Sequence, residues 1–261
     1  MRIALVSFEP KIDSLQFNLN TAKKYLKVAK DYGASMCVFP ESTFTSFCFP
    51  SYSKAEFLSD STSINFLKHE ASDMGISIAF GLFIKNEFST KVHNSLLVID
   101  KSGEIILRYD KLQLFSPGKE NQYNLSGEEL KVGIIGSVPF GVSICYDLRF
   151  PELYSAMSPF CKVILNLANW PSVRSHHWQT LLRARAIENQ LFLIGVNRYG
   201  FDQEGTYFAG DSMIYDPLGE LVRPEFANGA ISIYSLDFDL VSSVRSNFPV
   251  LKDRRFKVSL L

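Results

Sequence analysis

Short apolar runs alternate with stretches of helical periodicity along this chain, and that alternation limits what it can fold into. Ile3 to Phe8 reads as a first strand; Leu15, Leu19, Ala22, Leu26 and Ala29 then mark one face of a helix, with Gly33 just past its end. Met36 to Phe39 is a second strand, Ile64 to Met74 a helix and Ile76 to Ile84 another strand. Ser95 to Ile99 and Ile105 to Tyr109 form a hairpin pattern with a turn at Lys101, Ser102 and Gly103, and Val132 to Ile135 pairs with Val138 to Ile144 around Gly136. Val163 to Leu167 is a strand, and Ser175 to Gln190 is a helix with Trp178, Leu181, Leu182 and Ala186 on one side. Leu191 to Val196, Ser212 to Tyr215 and Ala230 to Leu236 complete the strands. This mix of β-α units and hairpins predicts mixed sheets covered by helices. With no linker, repeat or low-complexity stretch, one domain over residues 1–261 is expected.

Composition narrows the partners. Lysine plus arginine equals aspartate plus glutamate at 27 each, so the net charge is near zero and no basic stripe marks a nucleic-acid binder. No apolar stretch reaches membrane-spanning length. The amino end, MRIALVSFEP, reads as a strand and not as a signal peptide, so the expected location is cytoplasmic. Cys37, Cys48, Cys145 and Cys161 are unevenly spaced with no CxxC pair, so free thiols are expected and no structural zinc. The pair His176 and His177 does not fall on one helical face and has no acidic ligand at metal spacing, so no metal is expected. No GxGxxG or GxxxxGK[ST] pattern supports a nucleotide, and no cofactor is expected.

Three chemically matched residues lie at strand ends. Cys145 follows the apolar run Val138 to Ile144 and precedes Tyr146-Asp147-Leu148-Arg149-Phe150-Pro151, where Pro151 suits a first helical turn. A cysteine there is held up for attack, with backbone N–H groups beyond it able to face an oxyanion, although most cysteines are inert core fillers. Glu41 closes the run Val38-Phe39-Pro40, where a carboxylate is costly unless paired or set in a cleft; a surface loop position is the plain alternative. Lys111 sits among Tyr109, Leu112, Leu114 and Phe115, unusual for a lysine unless it snorkels to the surface.

The segments carrying these residues, VFPEST, YDKLQLF and SICYDLRFPELY, resemble the three signature segments of the nitrilase superfamily of carbon–nitrogen hydrolases. The resemblance extends over essentially the whole chain, and NWPSVRSHHWQTLLRARAIENQ and GDSMIYDPLGE look most like its omega-amidase-type branch. It implies a four-layer α-β-β-α sandwich of the nitrilase type, pairing with a second copy as a homodimer or higher oligomer. It also implies a catalytic set of Glu41, Lys111 and Cys145, with Glu120 as the second glutamate in the loop after the lysine. Gln113 departs from the histidine that relatives often carry there.

That resemblance implies hydrolysis of a small amide through a cysteine thioester. Glu41 would move the protons, Lys111 and the Tyr146 N–H would form the oxyanion hole, and Glu120 would orient Lys111. Arg149, Asn169 and Trp170 are the expected substrate-binding residues. For Arg149 the chemistry adds its own argument, because a guanidinium at a helix start matches a far carboxylate on the substrate; a surface ion pair with Glu152 or Asp147 is the competing reading. Arg183, Arg185 and Glu188 read as structural, since Arg185 and Glu188 lie one turn apart. The expected substrate is a dicarboxylate monoamide such as alpha-ketoglutaramate. An N-carbamoyl amino acid, or a catalytically silent binding protein on the same fold, are the alternatives.

Overall fold

The computed structural model describes residues 1–256. The first part of the chain runs β1 (Arg2–Val6), α1 (Leu15–Asp31), β2 (Met36–Val38), α2 (Thr62–Met74), β3 (Ser77–Lys85), β4 (Val92–Ile99) and β5 (Ile105–Asp110), then the short α3 (Glu120–Tyr123) and β6 (Asn124–Leu125). There follow β7 (Val132–Ile135), β8 (Val138–Ile144), α4 (Pro151–Met157), β9 (Val163–Ala168), α5 (Ser175–Asn189) and β10 (Phe192–Asn197). Next come β11 (Tyr199–Phe201), β12 (Tyr207–Ala209), β13 (Met213–Tyr215), β14 (Phe226–Asn228), β15 (Ile231–Ser235), α6 (Asp239–Asn247) and α7 (Val250–Asp253).

Two sheets take up most strands. One is ordered β14-β15-β1-β2-β3-β4-β5, with β6 beside β4, and the other β13-β10-β9-β8-β7. Side chains alternate between faces along a strand, and here both faces are buried. From β1, Ile3 and Leu5 point to the core between the sheets, where Val142 and Leu165 meet them, while Ala4 and Val6 face Leu19 and Leu26 of α1. On the far side, Ile164 and Leu193 pack under Trp178 and Leu182 of α5. These three cores separate four layers, and the chain is an α-β-β-α sandwich.

The anticipated helix faces hold: Leu19, Ala22, Leu26 and Ala29 are all buried on α1. Besides the short α3 and β6, several features differ from the sequence reading. β4 starts at Val92 and not at Ser95, so it takes in His93 and Asn94. β11 and β12 form a separate ribbon, and β14, α6 and α7 also went unanticipated. Each of those three strands has only three residues, too few for a periodic signal, and α6 buries only Val241.

Strand direction sets up the site. β8, β9 and β10 are mutually parallel, so their carboxyl ends deliver Cys145, Asn169 and Arg198 to one edge. In the other sheet β2 is parallel to β3, and β4 is antiparallel to both β3 and β5, which makes β5 parallel to β2. Glu41 and Lys111 therefore also leave from a common edge, the usual place for ligand sites in such sheets.

Candidate active site

Cys145 opens a short helical turn, Cys145–Arg149, directly after β8. Its φ of 46° lies in the left-handed region, which a side chain with a Cβ adopts only when the surroundings force it. Asp147 does that forcing. Fully buried, it accepts hydrogen bonds from the Ile144 N–H at 2.9 Å, the Tyr109 hydroxyl at 2.7 Å and the Gln113 N–H at 2.9 Å. One carboxylate thus ties the cysteine turn to the segment around Lys111. Burial pushes the Asp147 carboxyl up to about 6, against those hydrogen bonds and the nearby Lys111 charge. Arg185 supports the same turn, donating to the Leu148 carbonyl at 3.2 and 3.0 Å as well as pairing with Glu188 at 3.1 Å.

Glu41 and Lys111 are each 1% exposed, and Glu120 and Asn94 are fully buried. Lys111 Nζ lies 3.1 Å from Glu41 Oε1 and 3.0 Å from Glu120 Oε2. Asn94 Nδ2 bridges the same two carboxylates, at 2.7 Å from Glu41 and 3.0 Å from Glu120. Asn169 donates to Glu41 Oε2 from its backbone N–H at 2.8 Å and from Nδ2 at 3.3 Å. Glu120 also receives the Phe115 N–H at 2.6 Å and Asn124 Nδ2 at 3.3 Å. Each of the four carboxylate oxygens accepts two hydrogen bonds, which satisfies charges that burial would otherwise make very costly.

Two glycines make this packing possible. A Cβ on Gly81 of β3 would lie 2.6 Å from the Glu41 Cα, and one on Gly127 would lie 2.1 Å from the Asp110 carbonyl oxygen. The backbone at Glu41 can lie against β3, and the backbone just before Lys111 against Gly127, only because those positions have no side chain.

The electrostatics follow. Burial works against the Lys111 charge, but Glu120 and then Glu41 outweigh it and raise its pKa above the ordinary value. Burial, and next the Glu41 charge, hold the Cys145 thiol well above its ordinary pKa, while Lys111 pulls it down. The resting group is a thiol beside a carboxylate, so attack by sulfur requires a base to take its proton.

Glu41, Lys111 and Cys145 line one cavity of about 230 Å³, together with Tyr146, Arg149, Asn169 and Trp170. Cys145 Sγ is 3.8 Å from the Asn169 carbonyl oxygen. The Arg149 guanidinium stacks over the Trp170 ring at 4.8 Å and reaches His177 Nδ1 at 3.4 Å. Of the two acids considered as ion-pair partners for Arg149, Asp147 is bonded elsewhere, and Arg149 itself lies on the cavity wall. Gln113 contributes its backbone N–H to Asp147. Sequence reasoning missed Asn94 and Asp147. A polar residue inside the apolar strand VHNSLLVI was the available signal for the first, and an acid two residues past the cysteine for the second.

The chain matches the family model of the carbon-nitrogen hydrolases over residues 2–246. It is 33% identical to the 2-oxoglutaramate amidase of Paenarthrobacter nicotinovorans over 267 aligned residues, covering 97% of this chain and 90% of that one. It is likewise 33% identical to an omega-amidase of Escherichia coli over 222 residues, 85% of this chain and 84% of the other. A CN-hydrolase superfamily protein from Xanthomonas campestris, crystallised with an arsenic adduct in its active site, superposes with a TM-score of 0.90 at 28% identity, covering 99% of this chain and 98% of that one. With that match over nearly the whole chain and the same four layers, this protein belongs to the carbon-nitrogen hydrolase family and is one of its enzymes.

Proposed function

We propose that the enzyme is an omega-amidase, hydrolysing the terminal amide of a small dicarboxylate monoamide such as alpha-ketoglutaramate. The observation that carries this reading is Lys111 wedged between the carboxylates of Glu41 and Glu120 at 3.1 and 3.0 Å, on the wall of the cavity that Cys145 lines. As Cys145 Sγ attacks the amide carbon, Glu41 takes the thiol proton, then passes it to the departing nitrogen, which leaves as ammonia. The thioester is then hydrolysed by a water that Glu41 deprotonates. Lys111 and the Tyr146 N–H stabilise the oxyanion in both halves, and Glu120 fixes the lysine. Arg149 takes the far carboxylate in two-point contact, with Trp170 as its platform and Asn169 holding Glu41.

The four cysteines are free, which suits work in the cytoplasm. Exposed Ile187 on α5, with exposed Leu218 and Leu221, supports a homodimer, each copy a single domain.

The test is a substrate screen. Purified enzyme is offered alpha-ketoglutaramate, succinamate, a neutral four-carbon amide, N-carbamoyl amino acids and nitriles, with ammonia and carbon dioxide as readouts. Fastest ammonia release from the two acids is expected. Carbon dioxide from a carbamoyl compound would move the assignment to that branch, and no turnover of the two acids would remove the omega-amidase reading.

A further inference from the structure

Arg198 is the first residue after β10, it is 1% exposed, and the mechanism above does not use it. Its three side-chain hydrogen bonds all go to neutral oxygens: Ser46 Oγ, the Phe201 carbonyl at 2.8 Å and the Tyr199 carbonyl at 3.3 Å. Its guanidinium lies over the Phe208 ring at 4.7 Å. Burying a charge this completely without a carboxylate bonded to it is expensive, and burial pulls its pKa down to about 10.

Its partners explain the placement. Ser46 lies in the same loop as Glu41, and Ser42 and Ser46 both sit in the left-handed region, at φ 47° and 63°. Tyr199, Phe201 and Phe208 belong to the β11–β12 ribbon, which pairs with neither main sheet. Ser46 and Phe208 line the cavity, as do Asp202 and Thr206 from the turn of that ribbon. The ribbon is thus the cavity's outer wall, and one planar, forked side chain bonds it to the loop that carries Glu41.

We propose that Arg198 is a positioning residue for substrate selection: it locks the β11–β12 ribbon to the 42–46 loop and so fixes the distance between Cys145 and the outer wall of the cavity. This rests on the reading of that cavity as the amide site. Lysine cannot reproduce the role, because an ammonium cannot span two oxygens and stack on a ring at once.

The experiment compares wild type, Arg198→Lys, Ser46→Ala and the double variant. KM for succinamate should rise about tenfold in Arg198→Lys with kcat within about twofold, the pattern of lost binding rather than lost chemistry. Ser46→Ala should cause part of that rise, and the double variant should match Arg198→Lys alone, since both remove one link. Hydrogen exchange in residues 199–209 and 42–49 should quicken in both single variants, while alkylation of Cys145 by iodoacetamide keeps its wild-type rate. Unchanged exchange in the ribbon, additive KM effects, or a fall in kcat and alkylation without a KM change would each overturn the proposal. Exchange is read without turnover, so a wild type inactive on succinamate would defeat the omega-amidase reading while the locking role is still judged.

Discussion

The inner end of the cavity and its mouth are built on opposite principles. At the inner end, Glu41, Lys111, Glu120 and Asn94 are buried to 1% exposure or less and hold one another through a closed network in which every carboxylate oxygen has two donors. At the mouth, Arg149 is half-buried, with a stacking contact to Trp170 and one long contact to His177. The inner charges have no water to fall back on, so each depends on its neighbours. The mouth charge is solvated and free to bind something else. On the proposed reading, chemistry sits where geometry is over-determined, and selectivity where a charge remains available.

This contrast can be broken from either side. Cys145→Ser should have the largest effect, folding normally but losing nearly all turnover, because a hydroxyl ionises far less readily than a thiol; ammonia release reads it. Lys111→Ala should lower kcat on the order of 10²–10³-fold with little change in KM. It should also cost stability, about 3–5 kcal/mol, since two buried carboxylates lose their shared cation. A variant that raised KM alone would make Lys111 a substrate anchor and dissolve the distinction. Asn94→Leu should cost about 1–3 kcal/mol in a denaturant titration, because Glu41 and Glu120 each lose a donor, with a drop in kcat alongside.

At the mouth, Arg149→Lys should leave stability unchanged and cut the preference for succinamate over a neutral four-carbon amide by about tenfold in kcat/KM, since an ammonium cannot match the fork. Unchanged preference would remove Arg149 as the carboxylate clamp. A further effect concerns pH. The Asp147 carboxyl is raised from 3.8 to about 6 in the fold, so the folded state holds its proton more tightly than the unfolded chain. Its contribution to stability therefore falls as pH rises from about 4 to about 6, by on the order of 3 kcal/mol at most, and is constant above. Melting curves should show wild type losing ground to Asp147→Asn across that window and running parallel to it at higher pH.

The mouth and the inner end also differed in how far the sequence announced them. Glu41, Lys111 and Cys145 each lie at the end of an expected strand, so strand ends pointed to them from the sequence alone. Helix α1 was equally plain, because one face repeats Leu19, Ala22, Leu26 and Ala29. Asn94 was hidden because the apolar signal of its strand begins at Ser95, while pairing with β3 carries β4 back to Val92. Gly81 and Gly127 act through close backbone approaches between segments far apart in the chain, which no local pattern encodes. The ribbon that holds Tyr199 and Phe208 has strands of three residues, and Arg198, which bonds two of its carbonyls, is a lone arginine in the sequence pattern.

The most direct test is to mix enzyme with succinamate, quench in acid within a turnover and weigh the intact protein. A covalent succinyl adduct is expected on wild type, mapped to the Cys145 peptide and released by hydroxylamine. It should be absent from Cys145→Ser and from Glu41→Gln, which has no base to take the thiol proton. An adduct on any other residue, or steady turnover by Cys145→Ser, would contradict a mechanism in which the inner network exists to drive Cys145 onto the amide carbon.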